Sequence, residues 1–101
     1  MGESVSCAVR AVGVVSALGV GVDETWPPLV AGDQSRLTVR DDLVPGRPLL
    51  VGEVHDPLTT VPEALRRYAC RNNELVLACM HQIEHSIRAA VETGGRNALG
   101  L

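Results

Sequence analysis

The chain has 101 residues, 46% of them hydrophobic and 21% charged, and it carries a formal net charge of −3 at pH 7. These values are typical of a globular domain and argue against a disordered tail, a collagen-like repeat or a coiled coil. All nine basic residues are arginines that form no cluster, which argues against nucleic-acid binding. No apolar run reaches the roughly 18 residues of a membrane-spanning helix, and the first ten residues do not resemble a signal peptide.

The cysteine and aromatic contents bear on the compartment and on the core. Cys7, Cys70 and Cys79 cannot all pair with one another, and without an export signal they are interpreted as reduced, mostly buried thiols of a cytoplasmic protein. With no Phe, one Trp and one Tyr, the core must come from Val, Leu and Ala, which bury less area each. A chain this short folds alone only if its apolar faces close on one another.

The first predicted element is a β-strand. Residues 5–19 alternate apolar and polar side chains at first and then become almost wholly apolar, with β-branched residues dominant. Such a valine-rich run is typical of a strand covered on both faces, so Val9–Val15 is predicted to be a central strand of a parallel sheet. The small residues and glycines of Ser16–Gly21 then predict a tight turn into a helix.

A short helix is predicted next. Asp23 suits the N-cap position, the helix runs to about Ala31, and Gly32 suits the C′ position after it. Pro27-Pro28 conflicts with a regular helix, because a proline beyond the first turn removes a backbone hydrogen bond at a cost of ~3 kcal/mol. We therefore expect a short or distorted helix that begins close to Trp26.

The middle of the chain is predicted to be a loop followed by a second strand. Residues 33–48 are mostly polar, and Asp41-Asp42 and Pro45-Gly46 are typical of a loop and a turn. The apolar run Leu49–Val54 predicts a short strand. His55-Asp56-Pro57 ends this strand, because the residue before a proline is restricted in its backbone conformation.

The clearest predicted element is a long amphipathic helix in the last third of the chain. Thr60–Glu63 has the spacing of a capping box with an early proline, and Asn72-Asn73 predicts a break and a fresh cap. Apolar positions then recur at steps of three or four as far as Gly94-Gly95, where the helix is predicted to end. Asn97–Leu101 predicts the opening of a third strand. The apolar stripe consists of Val76, Cys79, Ile83, Ile87 and Ala90.

The first third of the chain carries a resemblance to a known family. Cys7–Gly32 resembles the amino-terminal segment of the β-ketoacyl synthases, the condensing enzymes of fatty acid and polyketide synthesis. The family's first strand ends in a Gly-(Val/Ile)-Val-Ser-x-(Leu/Ile)-Gly stretch, which stands here as Gly13–Gly19. The family's next helix carries an aromatic residue, a leucine and a closing glycine, which are matched by Trp26, Leu29 and Gly32.

Later stretches support the resemblance, and two stretches depart from it. Arg67-Tyr68 is similar to the family's basic-aromatic pair before its long helix, and Ala98–Leu101 resembles the opening of its next strand. Arg10-Ala11 stands where a Thr-Gly pair is usual, and Asp33–Leu37 replaces a shorter Ser-Gly-Ile turn. These departures concern local backbone detail.

The resemblance implies the amino-terminal fragment of a β-ketoacyl-acyl carrier protein synthase with a partial thiolase-like α/β fold. Residues 1–101 would form part of the family's amino-terminal domain, in the order strand, short helix, loop, strand, long helix and start of a strand. The implied reaction is a decarboxylating Claisen condensation of acyl and malonyl thioesters, which uses an activated thiolate and two histidines and no cofactor. The implied partners are acyl carrier protein and a second subunit, in a homodimer or heterodimer.

By the resemblance, the catalytic cysteine and both histidines lie beyond Leu101. No catalytic, cofactor-binding or metal-binding residue is therefore assigned within this chain, and the fragment by itself is expected to be inactive.

Cys70 is the residue here that most resembles a nucleophile. The Tyr-Ala pair before it makes it similar to the family's Thr-Ala-Cys turn, and a helix start and Arg71 would favour its thiolate. Bulky polar residues then follow where the family has small ones. His81 and His85 lie about 16 to 22 Å away along a continuous helix. A structural thiol is therefore the favoured interpretation.

Three further patterns are weaker signals of a site. His81 and His85 have the spacing of metal ligands on one helix face, but zinc needs two more, so a solvated or partly buried pair is favoured. Asp41-Asp42 is interpreted as a charged loop rather than paired catalytic carboxylates. The glycines between residues 13 and 21 lack the G-x-G-x-x-G spacing of a dinucleotide site.

Two functions from different classes follow. The first is the condensing-enzyme fragment, and the alternative is a non-catalytic α/β interaction module that completes its sheet with another chain. A longer reading frame after Leu101, with a small-residue cysteine turn and two later histidine motifs, would favour the enzyme. A stop codon directly after Leu101 in several independent genomes would favour the module.

Overall fold

Residues 4–100, which the computed structural model describes, form a mixed α/β arrangement. Within them lie two two-stranded antiparallel sheets and three α-helices. The α/β class is therefore confirmed, whereas the prediction of a parallel sheet is wrong for these residues. Each pair of strands is joined by a two-residue turn, Ala17-Leu18 or Pro45-Gly46, and so short a connection permits only antiparallel pairing.

The first sheet is much shorter than the predicted strand. Strand β1 (Val15–Ser16) pairs with β2 (Gly19–Val20), and residues 4–14, which we term the leading segment, lie outside regular secondary structure. The prediction of a strand over Val9–Val15 is therefore wrong for all but its last residue. A strand needs a neighbour for its backbone hydrogen bonds, and no residue among those described pairs with the leading segment before its last residue. Val5 within it is 88% exposed.

Helix α1 (Val22–Ala31) begins earlier than the sequence predicts. Gly21 is its N-cap, with a φ of 93° and no side-chain capping bond, so the predictions of an N-cap at Asp23 and of a start near Trp26 are wrong. The Gly21 carbonyl accepts hydrogen bonds from the Thr25 N–H at 3.1 Å and from the Thr25 hydroxyl at 2.7 Å. Glycine reaches this positive φ without a steric penalty, which allows the helix to start directly after β2.

Pro27-Pro28 lies inside α1 without ending it. The two rings leave the carbonyls of Asp23 and Glu24 without helical partners, and both residues are exposed, where such a loss costs least. Gly32 follows in the left-handed conformation, with a φ of 65°, and its N–H bonds back to the Leu29 carbonyl. The predicted C-terminus is therefore confirmed.

A second hairpin occupies most of the predicted loop. Strand β3 (Thr38–Val44) pairs with β4 (Arg47–Val51) around Pro45-Gly46, so the turn is confirmed and the loop prediction is wrong for residues 38–44 and 47–48. The strand predicted at Leu49–Val54 is displaced towards the turn. Strand β3 is largely polar and exposed, and the contacts that hold it run across the hairpin, so its own residue pattern resembles a loop.

The predicted long helix is divided in two. Helix α2 (Arg71–Gln82) and helix α3 (Glu84–Gly94) are separated at Ile83, so the prediction of one continuous helix is wrong, whereas its predicted end is confirmed. Ile83 has a φ of −113°, and its N–H bonds to the Met80 carbonyl only three residues back. This tighter bond closes the last turn of α2 and redirects the chain.

Two 3₁₀ helices flank this pair. Glu63–Tyr68 takes the place of the helix predicted from the capping box, and the break falls at Ala69-Cys70 rather than at Asn72-Asn73. Arg96–Ala98 replaces the opening of the predicted third strand, whose last residue, Leu101, lies outside the described residues. Apolar periodicity does not distinguish a 3₁₀ turn from the start of an α-helix, because both repeat at about three residues.

The fold buries little apolar surface. Val61 and Ala78 are the buried hydrophobic residues of the described chain, at 8% and 9% exposure. The accessible surface is 8376 Å², against about 5,500 Å² for a compact protein of this mass. The radius of gyration is 18.1 Å, against about 13 Å for a compact chain of this length. Apolar faces that would be covered in a compact domain therefore remain exposed to solvent.

We expect the 101-residue chain by itself to be loosely packed and prone to aggregate, because its surface exceeds that of a compact chain by roughly 2,900 Å². Thermal unfolding followed by circular dichroism should show a broad, shallow transition, and the chain should bind a hydrophobic dye. A purified monomer that unfolds cooperatively and gives dispersed amide NMR signals would contradict this expectation.

Candidate functional site

Side chains from three other regions hold the β1–β2 hairpin. Glu24 of α1 accepts a hydrogen bond from the last N–H of β2 at 2.8 Å, and Arg36 donates to the Leu18 carbonyl at 2.8 Å. The Gln82 side chain of α2 bonds to both backbone groups of Val14, at 3.0 and 2.9 Å. The hairpin is therefore positioned both by the helix that follows it and by Gln82, which lies 68 positions from Val14 in the sequence.

Helix α2 meets the backbone of the leading segment at Gly13. A β-carbon at this position would lie 2.2 Å from the Cys79 carbonyl oxygen and 2.9 Å from the Cys79 carbonyl carbon. Neither distance leaves room for a side chain, so the close approach of the two backbones requires glycine. The Gly13–Gly19 motif thus has its first glycine against α2 and its last, with a φ of 142°, at the start of β2.

An apolar groove of about 340 Å³ lies beside this contact. It runs between the end of the leading segment and the exposed face of α2, and it contains no ionisable side chain other than a cysteine thiol. Such a surface suits apolar contact and offers no group for acid–base chemistry. The lining residues are Gly13, Val15, Val54, Leu75, Val76, Cys79, Met80 and Ile83.

Arg40 of β3 forms an ion cluster that the sequence analysis missed. Its guanidinium donates to both carboxylate oxygens of Asp42, from Nε at 2.6 Å, and to the carboxylate of Glu53. These hydrogen bonds raise the pKa of Arg40, and the bond from Arg40 is the main cause that lowers the pKa of Asp42. The Arg40-x-Asp42 spacing, which places both side chains on one face of a strand, is the sequence signal that was available.

A polar groove of about 600 Å³ borders this cluster and is also lined by Arg71. Arg71 donates from Nη2 to the Val54 carbonyl at 2.9 Å. The charged side chains that line it are Arg40, Glu53 and Arg71. The Arg40 charge is neutralised by Glu53 and by Asp42, which lies outside the lining.

Acidification is expected to loosen the β3–β4 hairpin. The pKa of Asp42 is lowered in the folded chain, so its contribution to stability is present above its unfolded pKa of about 3.9 and is lost as the pH falls through the folded value. Hydrogen exchange of residues 38–51 should therefore quicken, relative to the intrinsic rate, below about pH 4. Asp42→Asn should weaken this acid dependence.

Asp41→Asn is the matched control, since Asp41 is the exposed neighbour and forms no ion pair with a described residue. It should retain the acid dependence of the wild-type hairpin. Equal effects of the two substitutions would show that the Arg40–Asp42 pair does not hold the hairpin.

Cys70 is placed apart from the groups that would assist it. It is the exposed N-cap of α2, and its carbonyl accepts the Glu74 N–H at 3.0 Å. His81 lies near the opposite end of the same helix, about 16 Å away at 1.5 Å per residue. Arg71 is directed to the Val54 carbonyl. The structure therefore does not assemble a nucleophile with a base at Cys70.

The histidines are also dispersed. His81 lies in α2 and His85 in α3, on either side of the break, and both are exposed. Nδ1 of His81 lies 3.4 Å from the Thr59 hydroxyl, and Nε2 of His55 lies 3.2 Å from the Thr38 hydroxyl. Among residues 4–100 no three His, Cys, Asp or Glu side chains come together as metal ligands.

The three thiols are free, but they are less buried than the sequence predicts. Cys7 and Cys70 are exposed, so the prediction of mostly buried thiols is wrong for them. Cys7 lies in the part of the leading segment, residues 4–10, that is exposed throughout, and Cys70 is the exposed N-cap of α2. Cys79 is half-buried beside the apolar groove.

Comparison with known proteins gives no assignment. No model of a known protein family matches the chain, and no curated protein is significantly similar to it. Among the helices of the described residues, none has both the length and the apolar character needed to cross a bilayer.

Proposed function

We propose that this chain is the amino-terminal part of a β-ketoacyl-acyl carrier protein synthase, with a partial thiolase-like α/β fold. The observation that carries the proposal is the Gly13–Gly19 motif. Its first glycine is required by contact with α2, and its last by a positive φ at the start of β2. Both of these glycines are required by the backbone of this chain. This requirement supports a structural equivalence with the family's motif and argues against a chance match of residue types.

The order of the other matched residues supports the same proposal. Trp26 and Leu29 lie in α1, and Gly32 closes that helix. Arg67-Tyr68 ends the 3₁₀ helix two residues before α2, with the Arg67 guanidinium 4.8 Å from the centre of the Tyr68 ring. These positions follow the order of the family's amino-terminal segment.

The open surface of the chain fits the incomplete state that the proposal requires. The leading segment has free backbone groups and valines exposed by up to 88%, and the apolar groove beside Gly13 is uncovered within the described chain. In a condensing enzyme, further strands would take these hydrogen bonds and cover these side chains.

In this proposal the chain supplies scaffold, and the chemistry comes from sequence beyond Leu101. The complete protein condenses acyl and malonyl thioesters with loss of carbon dioxide, using a thiolate and two histidines that this chain does not contain. Acyl carrier protein delivers the thioesters, and a second subunit completes a homodimer or heterodimer. Fatty acid or polyketide synthesis is the process served.

The decisive experiment is to express the complete reading frame that contains these residues. Formation of 3-oxoacyl product from acyl- and malonyl-acyl carrier protein is then assayed, beside the same protein with its nucleophilic cysteine replaced by alanine. We expect condensation by the first and none by the second. A folded product of the complete frame that does not condense would overturn the proposal, as would a frame that lacks the cysteine turn and the two histidine motifs.

Cys70→Ala in that complete protein is expected to leave condensation near the wild-type rate. Acyl transfer needs a thiolate, an oxyanion site and room for the acyl chain, and the surroundings of Cys70 bring no histidine to it. The measurement is the rate of 3-oxoacyl formation, with folding of the variant checked by circular dichroism. A loss of about a hundredfold or more in a folded variant would move the nucleophile into this chain.

The alternative function is a non-catalytic α/β interaction module. The free backbone of the leading segment favours it, since an exposed extended edge is the site where another chain adds a strand. Under this alternative, the frame closes after Leu101 and no condensing activity is encoded. The reading frame in several independent genomes therefore separates the two functions.

A further inference from the structure

The β1–β2 hairpin lacks one of the backbone bonds that its register predicts. The pairs Ser16–Gly19 and Val15–Val20 place Val14 opposite Gly21 as the next pair of the ladder. In an antiparallel ladder such a pair exchanges two hydrogen bonds. One is present, from the Gly21 N–H to the Val14 carbonyl at 2.9 Å.

The reverse bond is not formed because the Gly21 carbonyl is already engaged. It accepts the N–H and the hydroxyl of Thr25, at 3.1 and 2.7 Å, where α1 begins. The N–H of Val14 therefore needs another acceptor, since a half-buried backbone donor without a partner is costly.

The side chain of Gln82 provides the acceptor that the Val14 N–H lacks in the hairpin. Its Oε1 accepts the Val14 N–H at 3.0 Å, and its Nε2 donates to the Val14 carbonyl at 2.9 Å. Nε2 also donates to the Ala78 carbonyl within α2, at 3.2 Å. A primary amide carries an acceptor and donors on adjacent atoms, so it pairs with a backbone residue as a neighbouring strand does.

We propose that Gln82 is a positioning residue whose amide completes the Val14–Gly21 pair of the hairpin, and we term this hydrogen-bonded set the third rung. Because the amide belongs to α2, docking of α2 and closure of the Val14–Gly21 turn form one cooperative step. Glycine at position 13 allows α2 to come close enough for the amide to reach the backbone. Gln82 is also the last residue of α2, directly before the break at Ile83, so the end of that helix determines where the amide lies. This inference rests on these contacts alone and holds whichever function the chain has.

Only a primary amide side chain of this length provides both the acceptor and the donor that the third rung requires. Methionine has a similar reach but no N–H and no oxygen. Glutamate keeps the acceptor for the Val14 N–H but, when ionised, has no donor for the Val14 carbonyl. These two substitutions therefore separate the loss of the whole rung from the loss of its donor.

The test uses the complete protein that contains residues 1–101, with hydrogen exchange measured by mass spectrometry over residues 12–21. Gln82→Met should reduce the protection of Val14 and of the β1–β2 pairs by at least about tenfold. Gln34→Met is the matched control, because Gln34 is exposed and its side chain has no contact with the hairpin among the contacts described. It should leave protection unchanged.

The native cysteines provide a second readout. Cys79 is half-buried where α2 meets the leading segment, and Cys70 is exposed at the start of the same helix. In Gln82→Met, alkylation of Cys79 should become several-fold faster, whereas alkylation of Cys70 should not change. Helical circular dichroism should be retained, which distinguishes undocking from general unfolding.

Gln82→Glu makes the inference falsifiable even if the methionine variant fails to fold. Protection should be intermediate at neutral pH and should recover below about pH 4, where the protonated carboxyl again donates to the Val14 carbonyl. Absence of protection in the wild-type chain, equal losses in Gln82→Met and Gln34→Met, or a loss confined to Val14 while β1–β2 stays protected would each overturn it.

Discussion

Replacing Gly13 by alanine is expected to separate the leading segment from α2. The added β-carbon would lie 2.2 Å from the Cys79 carbonyl oxygen, and both groups in this clash belong to backbones, which cannot rotate aside as a flexible side chain does. We expect a cost of about 3 kcal/mol, at the upper end of the range for over-packing. That cost corresponds to a shift of roughly a hundredfold in the docking equilibrium.

The measurement is hydrogen exchange over residues 12–21, together with the alkylation rate of Cys79. Gly100→Ala is the control, because no atom lies within 4 Å of the β-carbon it would add and its φ is not in the left-handed range. It should have no effect on either readout. If Gly13→Ala kept the protection of the wild type, the two backbones would not lie close enough to exclude a β-carbon at position 13.

Replacing Ala78 by aspartate is expected to disrupt the same contact from the side of the helix. Ala78 is one of the two buried hydrophobic residues of the described chain, at 9% exposure, and its carbonyl accepts a hydrogen bond from Gln82. A carboxylate there would be removed from water without a cationic partner. We expect a loss of roughly 2 to 3 kcal/mol, which is a large part of the stability of a chain that buries so little.

The loss should appear as weaker helical circular dichroism and a lower midpoint in urea. Ala89→Asp supplies the comparison, since Ala89 is an exposed alanine in the middle of α3 and the substitution changes helix propensity equally. It should cost less than about 1 kcal/mol. If both variants were equally destabilised, helix propensity rather than burial would explain the effect at Ala78.

The predictions that failed share a physical cause. The strand over Val9–Val15 was predicted from a valine-rich run, but a strand forms only with a neighbour, and none of the described residues provides one for most of that run. Conversely, β3 was predicted to be a loop because its residues are polar. It is a strand because β4 lies across from it and Arg40 is paired with two carboxylates.

The residues of the candidate site also depend on contacts that are distant in the sequence. The Gly13–Gly19 motif was recognised from its residue types. Its first glycine is required because the carbonyl of Cys79, 66 residues away in the sequence, leaves no room for a β-carbon. Gln82 is not among the apolar positions of the predicted stripe, and its pairing with Val14 was not foreseen. Nothing in its local pattern distinguishes it from an ordinary solvent-facing glutamine.

Features that depend on a few adjacent residues follow from the sequence. Gly32 ends α1 because glycine reaches the left-handed conformation, Pro45-Gly46 forms a turn, and α3 ends at Gly94. Contacts between distant segments set which segments became strands, where the long helix breaks and which backbone groups Gln82 bonds to. Those outcomes depend on hydrogen bonds and contacts between residues up to 68 positions apart, and local periodicity carries no information about such partners.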